Sequence, residues 1–414
     1  MLVSRILLLT ALLVGGPVMA LADGAAEMER GVAMARQGQW PLALRYFRAA
    51  HAEMPGDAAV MLNLGLVHDR MGGHEAEAIA WFRAYLAAAP GAANVNKVKG
   101  RIAEMDAALD VRIQQLLDVA RRILGELSSP KEKTAVLSAM MRAYAEAGDI
   151  STAQALERQA PSGGGKPDWG IAAVAAAQAR RGNFSGARAE AERPGAEAVR
   201  SWAMAEIAVA QAQRDDFAAA AITTEAIANQ NEASYMRSRV AVLMARRGNI
   251  GEAMALADRI DGESNPAAKA LVLAAISTAL VRAGDAGKGA EALAEAEKNL
   301  PRAPAGANRS LAQAMTIVAR SVSFPETSEA AALAELEDPS SRARFLRDLA
   351  AARGDVALAA VFRWVVVAHD ISGGDSSDIP RLMEVARTET PVKSGITVAA
   401  AAAVAAQALA RVRE

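Results

Sequence analysis

The chain has 414 residues, of which 52% are hydrophobic and 22% charged, and its formal net charge is −1. A charge so close to zero provides no general attraction to nucleic acid or to an anionic membrane surface, which argues against both as partners. The absence of cysteine excludes disulfides and a thiol-linked lipid anchor, so the fold depends on its apolar core.

The first residues are typical of a secretory signal peptide. Arg5 precedes an apolar run over residues 6–14, and Ala20-Leu21-Ala22 provides a small-x-small cleavage site. The run is shorter than the roughly 20 residues that a membrane span requires, which disfavours an uncleaved anchor. We therefore interpret residues 1–22 as a signal peptide, and we expect a periplasmic or secreted protein with no membrane span after cleavage.

The turns between helix-forming stretches recur at a nearly fixed interval. Strand patterns are almost absent, whereas alanine-rich segments alternate with Gly, Asp, Asn and Pro. A turn residue followed by Asp or Asn and an apolar residue begins at positions 148, 182, 215, 248, 284 and 354, with Asp215 in place of glycine. The steps are 34, 33, 33 and 36 residues, and then 70. We therefore predict an all-α fold, a right-handed α-solenoid of antiparallel helix pairs with a period of about 33–36 residues.

Two closely similar copies of a repeat lie within residues 25–90. The matching pairs are Gly31 and Gly65, Ala43 and Ala78, Phe47 and Phe82, and Pro55 and Pro90. Together with the turn glycines Gly38 and Gly72, these positions resemble the tetratricopeptide repeat, in which a small residue, a turn glycine, an alanine, an aromatic residue and a proline follow in this order. The resemblance implies two helix–turn–helix units, and we assign residues 23–127 to this pair and the helices that follow it.

A second zone, residues 128–300, keeps the same arrangement with different residues. Small side chains lie seven residues before four of the turn residues and five residues after all five. They are Ala175, Ala208, Ala241 and Ser277 before the turn, and Ala153, Ala187, Ala220, Ala253 and Gly289 after it. Small residues at both places allow the two helices of a pair to approach closely, so we interpret this zone as divergent repeats. Residues 301–414 are expected to hold degenerate repeats and capping helices, the last of which begins at Pro391.

Three motifs that suggest chemistry have simpler interpretations. Ser129 and Pro130 are typical of a helix N-terminus rather than of a catalytic S-x-x-K motif. The glycine-rich segment 161–166 lacks the first glycine and the final Ser or Thr of a phosphate-binding loop. The four histidines are scattered, and no cysteine accompanies them. We therefore predict no catalytic residue, no cofactor and no metal, and we expect the protein not to be an enzyme.

Large aromatic residues recur at one position of the second zone. Thirteen residues before the turn residue lie Trp169, Trp202 and Tyr235. Stacked at a repeat of about 33 residues, they would form a row near the start of each first helix that could contact apolar or proline-rich segments or sugar rings. The alternative is that they join one repeat to the next within the core, as most large aromatic residues in helices do.

A second row is basic. Two residues before the turn residue lie Arg36, Arg70, Arg180, Arg246 and Arg282, and Glu146 and Gln213 interrupt the series. In tetratricopeptide repeats this position borders the concave groove, and Asn63 is expected on the same side. Guanidinium groups there would favour acidic peptides or anionic polymers, because arginine binds carboxylates bidentately. The alternative is that cations in the last helical turn complement the helix dipole.

These features predict an exported scaffold or adaptor of the bacterial cell envelope. It would bind extended segments of other envelope proteins or peptides, acidic ones among them, in the concave groove of the solenoid. An alternative is a non-catalytic helical platform of a peptidoglycan- or exopolysaccharide-processing or secretion machine, in which the aromatic row contacts a glycan polymer. A third interpretation is an envelope chaperone, which would suppress aggregation broadly rather than bind one partner.

Overall fold

The computed structural model of the chain describes residues 18–324, 329–336, 338–372 and 389–413. Within these ranges every regular element is helical, which confirms the predicted all-α solenoid. The N-terminal helices are α1 (Val18–Arg36), α2 (Trp40–Glu53), α3 (Ala58–Met71), α4 (Glu75–Ala88), α5 (Val95–Glu126), α6 (Pro130–Glu146), α7 (Ile150–Glu157), α8 (Asp168–Arg180), α9 (Phe184–Ala191) and α10 (Glu197–Gln213). The C-terminal helices are α11 (Phe217–Glu225), α12 (Gln230–Arg246), α13 (Ile250–Asp258), α14 (Pro266–Arg282), α15 (Ala286–Asn299), α16 (Ala307–Ser323), α17 (Glu329–Ala334), α18 (Pro339–Ala352), α19 (Val356–Ser372) and α20 (Pro391–Arg413).

Two layers of helices build the middle of the molecule. The first helices of successive pairs, α6, α8, α10, α12, α14, α16 and α18, each pack against the next one in the series. The second helices, α7, α9, α11, α13 and α15, lie between the first helix of their own pair and that of the following pair. Each repeat therefore contacts mainly its neighbours, as in other solenoids.

The turn residue ends the first helix of each pair in a left-handed conformation. The glycines Gly148, Gly182, Gly248, Gly284 and Gly354 have φ between 79° and 88°. Asp215 occupies the equivalent position with φ 62°, and it is the one non-glycine residue with positive φ in the described part of the chain. The following Asp or Asn accepts a hydrogen bond from the backbone N–H three residues later in every copy except that of Asn249. These contacts satisfy amide groups at the start of each second helix.

In the N-terminal repeats, the glycine of the first helix makes room for the aromatic ring of the second. A Cβ atom added at Gly31 would lie 2.5 Å from the ring of Phe47, and one added at Gly65 would lie 2.6 Å from the ring of Phe82. Both rings are buried. The glycine and phenylalanine that recur in the sequence are therefore in contact within each repeat.

The small residues of the second zone occupy equivalent contacts. The alanines on both sides of the turn are fully buried: Ala153, Ala175, Ala187, Ala208, Ala220, Ala241 and Ala253. In the most divergent pair the Oγ of Ser277 donates a hydrogen bond of 2.7 Å to the carbonyl oxygen of Gly289. A Cβ atom at Gly289 would lie 2.6 Å from Val281, so this helix pair has no room for a larger residue there.

The C-terminal helices return to the N-terminal part of the chain. α18 and α19 form a hairpin, and α19 packs along α4. α20 packs along both α5 and α6, where Arg413 binds Asp106 at 2.8 Å and Asp110 at 2.5 Å. We expected the last helix to cap the end of the array, whereas it lies beside helices of its first half. The solenoid is therefore closed on itself.

The position of α20 follows from its composition. Its residues are mostly alanine and valine on every side, so a single neighbouring helix could cover only part of its surface. By length and hydropathy α20 is the one described helix that could cross a membrane, but 61% of its most apolar window is buried within the protein. This burial is the environment of a core helix.

Two of the three predicted segment boundaries fall close to the ends of α-helices. α5 ends at Glu126 and α15 ends at Asn299, close to the predicted limits at residues 127 and 300. One hydrophobic cluster nevertheless extends from Ala43 to Val412 and includes members of all three segments that follow residue 22. Most of the predicted signal peptide, residues 1–17, lies outside the described residues, and residues 18–22 form the start of α1.

The glycine–phenylalanine contact provides a test of the packing. We expect Gly65→Ala to lower the free energy of unfolding by about 1–3 kcal/mol, because the added methyl group overlaps the buried ring of Phe82. Gly100→Ala is the matched control, since a Cβ atom there meets nothing within 4 Å in helix α5. It should stabilise the protein by up to about 1 kcal/mol. Urea unfolding followed by circular dichroism measures both, and two substitutions of the same sign would contradict the proposed contact.

Candidate functional sites

The basic row occupies several different environments. Arg180 binds Glu146 of the preceding repeat at 3.0 Å, so the acidic residue that interrupts the row pairs with its next arginine. Arg246, at the end of α12, binds Asp348 of α18 at 2.7 Å. α14 and α16 lie between these two helices in the series, so this ion pair spans a curved inner face.

The inner face around this ion pair forms a cavity of about 540 Å³, which we call the arginine concavity. Its lining contains four guanidinium groups and one carboxylate: Arg246, Arg282, Arg347, Arg363 and Asp348. The remaining lining is largely alanine, contributed by α12, α14, α18 and α19. The formal charge of the lining is therefore +3, that is, four positive charges and one negative charge.

The carboxylate of the concavity is already engaged. Burial by itself would raise the pKa of Asp348, but the nearby Arg246 and Arg347 hold that pKa below its usual value. Arg347 also donates a hydrogen bond of 2.8 Å to Asp348. Asp348 is therefore ionised at neutral pH, and the positive charges still exceed it. Arg282 is exposed, and neither a hydrogen bond nor an ion pair engages it within the described ranges.

The N-terminal candidates lie apart from the arginine concavity. Arg36 is exposed at the end of α1. Arg70 lines a separate groove between α3 and α5, in which Arg101 binds the neighbouring Asp69 with two hydrogen bonds. The side-chain amide of Asn63 donates to the carbonyl oxygen of Ala59 at 2.8 Å, on its own helix. The predicted row is thus not one continuous surface.

The aromatic row is only partly continuous. The ring centroids of Trp169 and Trp202 are 5.7 Å apart in an edge-to-face arrangement, and Trp169 is 50% exposed. Tyr235 lines another groove, between the starts of α12 and α14 and the segment Pro304–Arg309. Each residue of the aromatic row lies eleven positions before the residue of the basic row on the same helix, so the two rows are separated by about 16 Å along each first helix.

Closure of the solenoid creates a second cavity, of about 280 Å³, which we call the junction cavity. Its walls come from α2, α4 and the C-terminal helices α17, α18 and α19, among them Trp81, Phe362 and Val365. The ring of His369 lies 5.6 Å from that of His51 and 5.4 Å from that of Trp81. In the sequence these histidines are scattered, and no local pattern relates two residues so distant in the chain.

Burial controls the charge of the histidines at this junction. Desolvation, with a smaller contribution from His369, lowers the pKa of His51 to about 3. Desolvation and the nearby Arg48 lower the pKa of His369 to about 4. Both imidazoles are therefore neutral near pH 7, and Asp338 and Asp370 oppose the shift of His369 only partly.

One further group has the donors of a metal site. His68, His74 and Glu77 place ligand atoms within 4.8 Å of one another, and both ring nitrogens of buried His68 lack a hydrogen-bond partner. Two histidines and a carboxylate are common zinc ligands. Arg48, however, acts on both imidazoles with a repulsive positive field, which also opposes a bound cation.

Residues 34–102 match the model of the family described as tetratricopeptide repeat. The match includes α2, α3 and α4, and with them the contact between Gly65 and Phe82, whereas Gly31, the partner of Phe47, precedes it in α1. It confirms the resemblance found in the sequence, and the chain therefore contains N-terminal tetratricopeptide repeats. No curated protein matches the chain. Such repeats are typically non-catalytic scaffolds for protein–protein interaction.

Acid should destabilise the fold through three desolvated histidines, two of which lie at the junction. In the unfolded chain His51, His68 and His369 have a pKa near 6.5, whereas in the folded protein it is about 3, 3 and 4. As the pH falls the unfolded state binds protons first, so the stability present above that pKa is lost. Below that pKa, each of these histidines lowers the free energy of unfolding by up to about 1.4 kcal/mol per pH unit.

We expect the double variant His51→Phe/His369→Phe to lose less stability than the parent between about pH 7 and about pH 5. His74 provides the control. Its hydrogen bond to Glu77 raises its pKa, so protonation of this residue stabilises the folded protein as the pH falls. His74→Gln should therefore make the loss steeper. Urea unfolding at the two pH values measures the effect, and an unchanged loss in the double variant would refute it.

Proposed function

We propose that the protein is an exported scaffold that binds an extended acidic segment of a partner protein in the arginine concavity. The observation that supports it is the excess of guanidinium groups over carboxylates on this inner face. Tetratricopeptide repeats in the same chain agree with a protein-binding role. We further propose, from residues 1–22, that the partner belongs to the bacterial cell envelope.

The composition of the concavity suits a peptide with carboxylate side chains. Arginine presents a planar fork of donors that matches a carboxylate, and its bonds to an ionised acceptor are stronger than neutral ones. The alanine walls at Ala275, Ala279 and Ala360 are short enough to let a peptide backbone lie close to the helices. Positive charge in a concave surface also attracts an anionic partner from a distance, and salt weakens this attraction.

Arg282 is the most direct residue to test, since its removal leaves no buried acid without a partner. Arg180 and Arg246 are less suitable, because both bind carboxylates of the protein itself. We expect Arg282→Gln to weaken binding of a fluorescein-labelled glutamate-rich peptide by about tenfold, the loss of one charge-assisted contact. Lys131→Gln on α6 removes the same charge from an exposed residue outside the concavity and should leave binding unchanged.

Fluorescence anisotropy measures both affinities at low and at moderate salt. The same peptide with glutamine in place of glutamate should bind weakly to all three proteins. Equal losses for Arg282→Gln and Lys131→Gln would show that only net charge matters and would overturn the assignment of the site. For the export proposal, mass spectrometry of the envelope fraction should find a mature chain that begins at Asp23; a retained Met1 would contradict it.

One observation favours the glycan alternative. Trp169 presents half of its surface to solvent beside Trp202, which is the kind of surface on which sugar rings stack. If the protein is a helical platform on a glycan polymer, Trp169→Ala should reduce co-sedimentation with purified peptidoglycan several-fold. Phe324→Ala, which removes another exposed aromatic ring away from this pair, is the control. Retention that is absent, or equal in both variants, would exclude the alternative.

A further inference from the structure

The junction cavity has walls from parts of the chain that are far apart in sequence. α2 and α4 belong to the N-terminal repeats, whereas α17, α18 and α19 belong to the C-terminal part. A molecule in this cavity would contact both. The volume of about 280 Å³ is close to the lower end of the range for small-molecule sites.

The cavity contains a cation that the protein leaves without a partner. No hydrogen bond or ion pair is formed by Arg48 among the residues that the structure describes. Glu77 attracts the charge of Arg48 from a distance, but its carboxylate already accepts a hydrogen bond of 3.1 Å from His74. Arg48 as a whole is exposed to solvent, but it lines the cavity, and partial desolvation there lowers the pKa of its guanidinium. An anion bound in the cavity would supply the charged partner that the protein does not.

The other polar groups of the lining are occupied or neutral. The carboxylate of Asp338 accepts bonds of 2.8 Å from the amide and the hydroxyl of Ser341 as the N-cap of α18. Arg342 donates to the carbonyl oxygen of Leu336 at 2.5 Å. The Nδ1 atom of buried His51 has no hydrogen-bond partner. Arg48 is thus the one lining cation whose charge-assisted hydrogen bonds are unused.

The apolar walls define the rest of the ligand. The rings of Trp81 and Phe362 are almost fully buried, as are Val365 and Leu346. Such walls favour a planar apolar body, while a neutral imidazole can exchange one hydrogen bond with a polar group on it. A highly polar anion such as inorganic phosphate would leave these walls without a matching surface.

We infer that the junction cavity binds a small organic carboxylate with a planar apolar body, whose anionic group pairs with Arg48. The bound molecule contacts α2, α4, α18 and α19 together and so stabilises the closed form of the solenoid. This site is separate from the arginine concavity, because the two share no lining residue.

Two probes of the same shape test the inference on the full mature chain. 2-Naphthoate carries the carboxylate, and 2-naphthamide is its neutral counterpart. Isothermal titration calorimetry should show one saturable site for 2-naphthoate and at least about tenfold weaker binding of 2-naphthamide. 2-Naphthoate should also raise the midpoint of thermal unfolding in a concentration-dependent way, because it binds the folded state.

Arg48→Gln should remove the preference for the anion, with about tenfold weaker binding of 2-naphthoate. Arg45→Gln, one turn earlier on α2 and outside the cavity lining, is the matched control and should bind as the parent does. His369→Phe keeps the ring but removes its polar atoms, and it should weaken 2-naphthoate less than Arg48→Gln does. Circular dichroism confirms that each variant folds.

Three results would overturn the inference. They are no saturable binding of 2-naphthoate at millimolar concentration, equal affinity for the two probes, and unchanged affinity in Arg48→Gln. The glutamate-rich peptide distinguishes this site from the proposed function, because its binding depends on Arg282 and should not change in Arg48→Gln.

Discussion

The packing of the C-terminal helices on the N-terminal half is the contact that closes the solenoid and on which the junction cavity depends. Where α19 lies along α4, the walls of the junction cavity come together, with His369 beside Trp81. On the inner face, curvature within the second half brings Arg246 of α12 to Asp348 of α18 across two intervening helices of the series. An open array of the same helix pairs would leave His369 and Trp81 far apart.

Closure requires helices that can approach one another closely. Alanine and glycine on both sides of each turn bring the axes of a pair together, and each such residue buries little area by itself. The stability of the array therefore comes from many small contacts spread over the repeats rather than from a few large side chains. Larger side chains contribute in the N-terminal repeats, where Phe47 and Phe82 fill the space above Gly31 and Gly65.

Local features of this fold could be predicted because each has a cause within a few residues. A glycine at the turn adopts positive φ, and the next Asp or Asn binds the first amides of the following helix. Asp215 shows how strong this requirement is, since it adopts φ 62° at the equivalent position despite its side chain. The fold class and the helix pairs follow from such signals.

The sites could be predicted only in part. Arg180 and Arg282 have the same place in their repeats, but one binds Glu146 and the other faces the arginine concavity. The difference depends on the residue at the same position of the preceding repeat, which is Glu146 before Arg180 and Arg246 before Arg282. The junction cavity could not be predicted from the sequence, because Arg48, His51 and His369 meet only when the whole array has closed.

The packing of α20 against α5 and α6 also constrains the order in which the chain can fold. Arg413 and its partner Asp106 are 307 residues apart, so their contact can form only when the entire chain is available. Repeats near the N-terminus can fold as soon as their own helices exist, but the apolar faces of α5 and α6 stay uncovered until α20 arrives. A chain that ends before Pro391 therefore keeps these faces exposed, and a surface of this kind is what quality-control proteases and chaperones recognise.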